Sequence, residues 1–162
     1  MGKDLAFVLV GYNNHTDVIC LADSLLSQNA QTITICDNSE STDMYNMLRE
    51  RYYSERRVNL VYIGWNSGFG RAVNSAIGLL YNRGIHYACL LNPDIVIPRD
   101  FVQRLENNLG FSRRIYGAKI LRSSDSSIWF NGGYIDWTGT PRHNTEINGD
   151  KIKKFNIIGC PG

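Results

Sequence analysis

Four short clusters of small, amide and acidic residues each follow an apolar run: Gly11-Tyr12-Asn13, Asp37-Asn38-Ser39, Gly64-Trp65-Asn66 and Asn92-Pro93-Asp94. Asp94, just past a proline-fixed turn, is placed to ligate a hard divalent cation, which prefers oxygen donors and often bridges to substrate phosphates. The ring of Pro93 fixes that turn so that the Asn92 and Asp94 side chains project towards one ligand. Asp37 closes an apolar segment of its own, a position where an acid can read the ribose or base of a nucleotide. Asn66-Ser67-Gly68-Phe69-Gly70-Arg71, followed by Asn74, is a glycine-containing loop that opens a helix. Amides at a helix N-terminus favour anions, and Arg71 adds a fixed positive charge.

Each cluster also has an ordinary reading. Asn-Pro-Asp is a common turn, and Asp37 suits an Asx turn or a helix cap, a purpose Asn38 or Ser39 could also serve. The loop at 66–71 is not a dinucleotide fingerprint, because it follows the third strand, lacks a third glycine and has no Walker lysine. Position decides the matter. All four clusters stand at the downstream ends of successive strands, where an open parallel α/β sheet binds its ligands.

The elements that must position these residues follow from periodicity. Leu5 to Val10 is a continuous apolar run, as expected for a strand buried on both faces. Val18, Leu21, Ala22, Leu25 and Leu26 recur at helical spacing, which predicts the first helix. Thr32 to Cys36 reads as a strand, and Met44, Met47, Leu48 and Tyr52 as a helix with Asp43 near its positive end. Val58 to Ile63 is the third strand; Val73, Ala76, Ile77 and Leu80 mark a helix that Gly84 ends. Tyr87 to Leu91 is the fourth strand, and Pro98 opens a helix with Phe101, Val102, Leu105 and Leu109 on its apolar face. This alternation predicts right-handed crossovers and a mostly parallel sheet. After Gly110 the pattern changes: Ile115 to Leu121, Ser127 to Phe130 and Phe155 to Ile158 read as strands, with Gly132-Gly133 and a Gly/Thr/Asn-rich stretch between the last two.

Composition narrows the function classes. The chain has 162 residues, 43% of them hydrophobic, enough for a real core. Its net charge of +2 is too balanced to imply nucleic-acid binding. The basic clusters at Arg56-Arg57, Arg113-Arg114 and Lys151 to Lys154 read as solvated surface, with contact at a membrane surface the minor alternative. Cys20, Cys36, Cys89 and Cys160 show no metal-type spacing and read as buried free thiols in a reducing compartment. No apolar stretch approaches the roughly 20 residues of a spanning helix. Cytoplasmic location is expected, including at the inner face of the membrane. His15, His86 and His143 are not spaced as a metal set. Trp65, Trp129 and Trp137 read as packing, or as a platform for an acceptor sugar.

Five elements together resemble the family 2 glycosyltransferases of the GT-A fold, closest to a rhamnosyltransferase-like branch. They are Val10-Gly11-Tyr12-Asn13; Cys20-Leu21 with Ser24-Leu25 and Gln28; Asp37-Asn38-Ser39; Asn66-Ser67-Gly68-Phe69-Gly70 with Asn74; and Leu91-Asn92-Pro93-Asp94. They run in family order over residues 5–98, and Ile157-Ile158-Gly159 resembles a later segment before the acceptor site. The resemblance implies an α/β GT-A domain over 1–162, with a nucleotide-binding half at 1–110 and the start of an acceptor-side half at 111–162. It implies that Gly11, Tyr12, Asn13 and Asp37 line the nucleoside of a UDP- or dTDP-sugar. Asn92 and Asp94 would correspond to the family's D-x-D-type motif, with Asp94 the ligand to Mg²⁺ or Mn²⁺ and Asn92 bonding the sugar nucleotide. The implied reaction is inverting transfer to a glycan or lipid-linked acceptor in polysaccharide synthesis. The family places its catalytic carboxylate downstream of the segment that 157–162 resembles. The chain is therefore expected to be a donor-binding portion without its base, with Asp136, or Asp125, the weak substitute. An exposed sheet edge would favour self-association. A nucleotidyltransferase would want a glycine-rich basic loop after the first strand, which Gly11-Tyr12-Asn13-Asn14-His15 is not. A non-catalytic nucleotide-binding module is the other alternative, and a dehydrogenase the least fitting.

Overall fold

A computed structural model describes residues 4–110 and 117–143. The chain divides into two compact units, Met1–Gly110 and Phe111–Gly162. The first has the order β1 (Leu5–Gly11), α1 (His15–Ser27), β2 (Ile33–Asp37), α2 (Asp43–Arg51), β3 (Val58–Tyr62), α3 (Phe69–Asn82), β4 (Tyr87–Leu91) and α4 (Phe101–Asn108). Its four strands form one parallel sheet in the order β3-β2-β1-β4. β1 and β2 lie in the middle and are almost wholly buried, whereas β3 and β4 flank them and are only partly covered. This is the α/β arrangement with a parallel sheet expected from the alternation of elements, and it is consistent with the GT-A fold that the resemblance implies.

Strand alternation divides the core between two faces. Ala6, Val8 and Cys36 point to α3, where Ala72, Ala76 and Leu80 pack on them. Phe7, one position on, points the other way, and its ring meets that of Phe101 at 6.3 Å. On that second face lie α1 and α2, tied to each other by Asp23, which pairs with Arg51 and accepts a 2.8 Å hydrogen bond from Tyr52 Oη. α1 ends where Asn29 turns left-handed (φ 63°) and the Ala30 N–H returns to the Leu25 carbonyl. Of the stripe residues, Met47 and Ile77 are exposed, and Ala72 takes the buried place beside Val73.

Several boundaries move. β2 runs one residue later than its apolar run and so includes Asp37; β3 stops at Tyr62. α4 starts at Phe101, whose N–H bonds to the Pro98 carbonyl, so the proline precedes the helix. Cys20 lies on the exposed side of α1, contrary to its expected burial. Burial pushes the Cys36 thiol up to about 11 and that of Cys89 up to about 12, so both stay protonated at neutral pH. Cys160 and the strand expected at 155–158 lie outside the described residues.

In the second unit, β5 (Ile120–Leu121) pairs antiparallel with β6 (Ile128–Phe130), and β7 (Gly133–Ile135) with β8 (Pro141–His143). The β7–β8 hairpin occupies the stretch the sequence marked only as rich in turn residues. Among the described residues no helix is long and apolar enough to cross a membrane.

Gly11 shows how tightly the second face closes over the end of β1. A Cβ placed there would stand 2.1 Å from Met44 Cε and 2.8 Å from Val18 Cγ2. The methionine tip can swing aside; the branched valine on α1 cannot. Gly11→Ala should therefore lower stability by about 1–3 kcal/mol, as overpacking does. Urea unfolding measures this, and an unchanged midpoint would show that α1 and α2 yield freely.

Candidate functional site

β1, β2 and β3 follow one another across the sheet, but the chain then crosses back to lay β4 against β1 on the other side. Strand order therefore reverses between β1 and β4, and a crevice outside the carboxyl ends at such a point is where open α/β sheets bind ligands. Register places the candidate residues there. Gly11 is opposite Asp37, Asp37 opposite Tyr62, and Leu9 opposite Leu91, so Asn92 to Asp94 leave the sheet beside the end of β1.

The loops after β1, β2 and β3 are stitched together by buried polar side chains. Asn38 is 3% exposed; its Oδ1 accepts from the Ser67 N–H at 3.0 Å and from Ser67 Oγ at 2.8 Å. Its Nδ2 donates to Asn66 Oδ1 at 3.2 Å, and its backbone N–H to the Gly11 carbonyl at 2.9 Å. Asn66 Oδ1 also accepts the Gly68 N–H at 3.1 Å. Gly68 sits at φ 78°, a conformation that disfavours any side chain, and there the loop turns into α3. Ser39 Oγ accepts the Asn13 N–H at 3.0 Å, and Asn14 Oδ1 the Tyr12 N–H at 2.8 Å. The sequence offered Asn38 and Ser39 as helix caps. Instead they join loops, and Thr42, which precedes α2, makes no side-chain cap bond.

Asp37 is the polar centre of this cluster and is 1% exposed. Its Oδ1 accepts the Ser39 N–H at 2.9 Å, the Asx turn that the sequence allowed. Its Oδ2 is buried and lacks a hydrogen-bond partner among the described residues. Leaving such an oxygen unmet costs roughly 1–3 kcal/mol or more, which calls for an explanation.

The remaining candidates are exposed. Tyr12 and Phe69 show about half their surface, as does Trp65. Arg71 lies over the Trp65 ring, 5.6 Å from its centroid, a cation–π contact the sequence did not signal because the two are six residues apart across a turn. Asn66 and Asn74 are exposed, as are Asn92 and Asp94, with the buried Pro93 between them in sequence. Asp125 and Asp136 stand in the second unit; one oxygen of Asp125 and both oxygens of Asp136 accept hydrogen bonds. Asp125 Oδ1 accepts the Ser127 N–H at 3.0 Å. Asp136 accepts from Thr138, Thr140 and Arg142. Hydrogen bonds, above all from Ser127 and Thr138 respectively, hold both acids below the usual carboxylate range, which makes them weaker proton acceptors.

A cleft of about 770 Å³ lies elsewhere, lined by Asp4, Gln28, Thr32, Ile85 and Arg99 among others, at the amino ends of the strands. It shares no residue with the site, and the fold gives no reason to place the chemistry there.

Comparison with known proteins adds one finding. The chain matches the family described as Glycosyl transferase family 2 over residues 7–161. No curated protein matches it.

The Asn38 amide can be tested apart from any ligand. Asn38→Ala strands the Ser67 N–H and removes one of the two hydrogen bonds that Asn66 Oδ1 accepts, and should cost about 1–3 kcal/mol in urea unfolding. Asn74→Ala, at an exposed position, should change stability by less than about 0.5 kcal/mol. Equal effects would mean that the three loops are held by something other than Asn38.

Proposed function

The chain belongs to glycosyltransferase family 2, and on that premise we propose that the crevice beside β1 and β4 binds a nucleoside-diphosphate sugar, UDP- or dTDP-linked, for transfer with inversion. The observation that carries this is Asp37: a buried carboxylate with one oxygen unmet, at the end of a central strand. A pyrimidine N–H or a ribose hydroxyl would supply the missing donor. At 1% exposure Asp37 is reached only if a neighbouring segment shifts; the loop of the exposed Tyr12, tied to Ser39 through the Asn13 N–H, is one such neighbour.

The other assignments follow from position and charge. Gly11, Tyr12 and Asn13 flank the nucleoside. Asn66, Gly68, Phe69 and Asn74 line the β3–α3 loop and the first turns of α3, and Arg71 on that helix supplies a guanidinium for the diphosphate. Asn92 bonds the sugar nucleotide. Asp94 would hold a divalent cation, Mg²⁺ or Mn²⁺. Among the described residues no three His, Cys, Asp or Glu side chains converge as a metal cage, so Asp94 would be one carboxylate ligand beside the substrate's own oxygens. Such a cation, when bound, neutralises charge on a leaving diphosphate.

In the reaction an acceptor hydroxyl oxygen bonds to the anomeric carbon while the carbon–oxygen bond to the diphosphate breaks. The diphosphate leaves with the electron pair, and a carboxylate base takes the hydroxyl proton. The hydrogen bonds on both Asp136 oxygens and on Asp125 Oδ1 leave either acid a weak candidate for that role. A glycan or lipid-linked acceptor of polysaccharide synthesis, the rhamnosyltransferase-like branch and a place at the inner face of the membrane complete the proposal.

Two substitutions test it by calorimetry. Asp37→Asn keeps an oxygen for the Ser39 N–H but replaces an acceptor with a donor. UDP or dTDP should bind at least about tenfold more weakly, while pyrophosphate binding stays unchanged. Equal losses for both ligands would remove Asp37 from the nucleoside site. Asp94→Ala should abolish the Mn²⁺-dependent part of UDP binding, worth about 2 kcal/mol, and leave unfolding unaltered. Undiminished Mn²⁺ dependence in that variant would rule out Asp94 as the ligand.

A further inference from the structure

Five of the described arginines spend their guanidinium groups inside the protein. Arg51 pairs with Asp23, Arg57 with Glu55, Arg104 with Asp100 and Arg142 with Asp136, and Arg83 bonds to Asn59 Oδ1. Arg71 is held differently. Its guanidinium carbon lies over the Trp65 ring, 5.6 Å from the centroid, and among the described residues its guanidinium N–H groups meet no protein acceptor. Helix stability does not account for a cation at this position. Arg71 stands in the first turn of α3, the positive end of the helix dipole, and no acidic residue in that turn offsets it.

The segment that carries Trp65 is fixed. Gly64 turns at φ 81° and Gly68 at φ 78°, and between them the Asn66 and Ser67 side chains bond to the buried Asn38. The Trp65 ring is half exposed, so core packing alone does not explain a tryptophan there. An indole face attracts a guanidinium through its quadrupole, more strongly than the other aromatic rings do. That contact uses up no hydrogen-bond acceptor, so the guanidinium keeps its donors for the oxygens of a phosphate.

We infer that Trp65 is a positioning residue, whose ring holds the Arg71 guanidinium ready for the diphosphate of the donor. This role rests on the assignment of Arg71 to the diphosphate made above and adds what keeps the arginine in place. A long side chain that is free in water loses rotamer freedom when it binds, and a ring that already restricts it lowers that loss. The rival role for Trp65, a stacking face for the nucleobase, is the poorer fit, because Arg71 already lies over the ring.

The test is a double-mutant cycle on the full chain: the parent, Trp65→Leu, Arg71→Ala and the two combined, with Trp65→Phe as the conservative variant. Each is titrated by calorimetry with UDP and with inorganic pyrophosphate in one magnesium buffer. Arg71→Ala should weaken both ligands about tenfold. Trp65→Leu keeps apolar bulk without a π face, and should weaken both about threefold, the scale of an exposed cation–π pair. Trp65→Phe should bind nearly as well as the parent. In the Arg71→Ala background Trp65→Leu should change nothing further, because the ring then has no guanidinium to hold. Trp65 has no positioning role if Trp65→Leu binds like the parent, if Arg71→Ala does, if Trp65→Leu weakens UDP but not pyrophosphate, or if its loss persists without Arg71. The third result would make Trp65 a base-stacking residue; the fourth, a direct contact or a prop for the loop. Any of these with UDP bound to the parent sinks this role alone. Failure of the parent to bind UDP would remove the nucleotide-sugar reading, and this role with it.

Discussion

One buried amide fixes the arrangement on which the site depends. Asn38 receives two hydrogen bonds from Ser67, gives one to Asn66 and, through its backbone, one to Gly11. Three loops that are far apart in sequence thereby acquire a single relative position. An amide withdrawn from water makes these bonds directionally demanding, because an unmade one has no solvent to replace it. Hydrophobic packing alone would hold the strands but leave the loops to wander. The polar knot converts the rigidity of the sheet into a defined crevice.

That knot has a cost, which the rest of the first unit offsets. Thr34 within β2, and Asp37, Asn38 and Ser39 at its end, are buried polar residues, with the apolar Ile35 and Cys36 between them. The apolar sides are correspondingly dense: Leu9, Ile33, Ile35, Leu25 and Leu48 are fully buried. Proteins commonly break a local rule at functional positions and compensate elsewhere. Asp37 is the clearest case, since half of its carboxylate is bonded and the other half is not. A residue chosen for stability alone would be neither buried nor half-satisfied.

The two units solve the problem of positioning side chains differently. In the first, the sheet sets the register, and tertiary hydrogen bonds aim the loops. In the second, whose strands are two or three residues long, a carboxylate organises its own turn. Asp136 gathers Thr138, Thr140 and Arg142 within seven residues, so the hairpin carries its own rigidity. The same occupancy that makes Asp136 a good turn organiser makes it a poor proton acceptor.

Much of the first unit was legible in the chain because burial imposes periodicity. Continuous apolar runs marked β1 and β4, and the i, i+3, i+4 stripe from Val18 to Leu25 marked α1, whatever lay beside them. The clusters at strand ends were visible for the same reason, since each interrupts an apolar run. The placement of Asp37 in the strand, the exposure of Cys20 and the hairpin at 133–143 were not legible. The last has strands of three residues containing glycine and proline, too short to show alternation. Residue order established which elements form and which side chains end them, because those choices rest on local backbone preference and one-sided burial. Tertiary structure alone decided that β4 lies beside β1, that Asn38 joins loops instead of capping a helix, and that Arg71 rests on Trp65. Each of these is a contact between segments or across a turn, and its energy depends on geometry that local sequence does not encode.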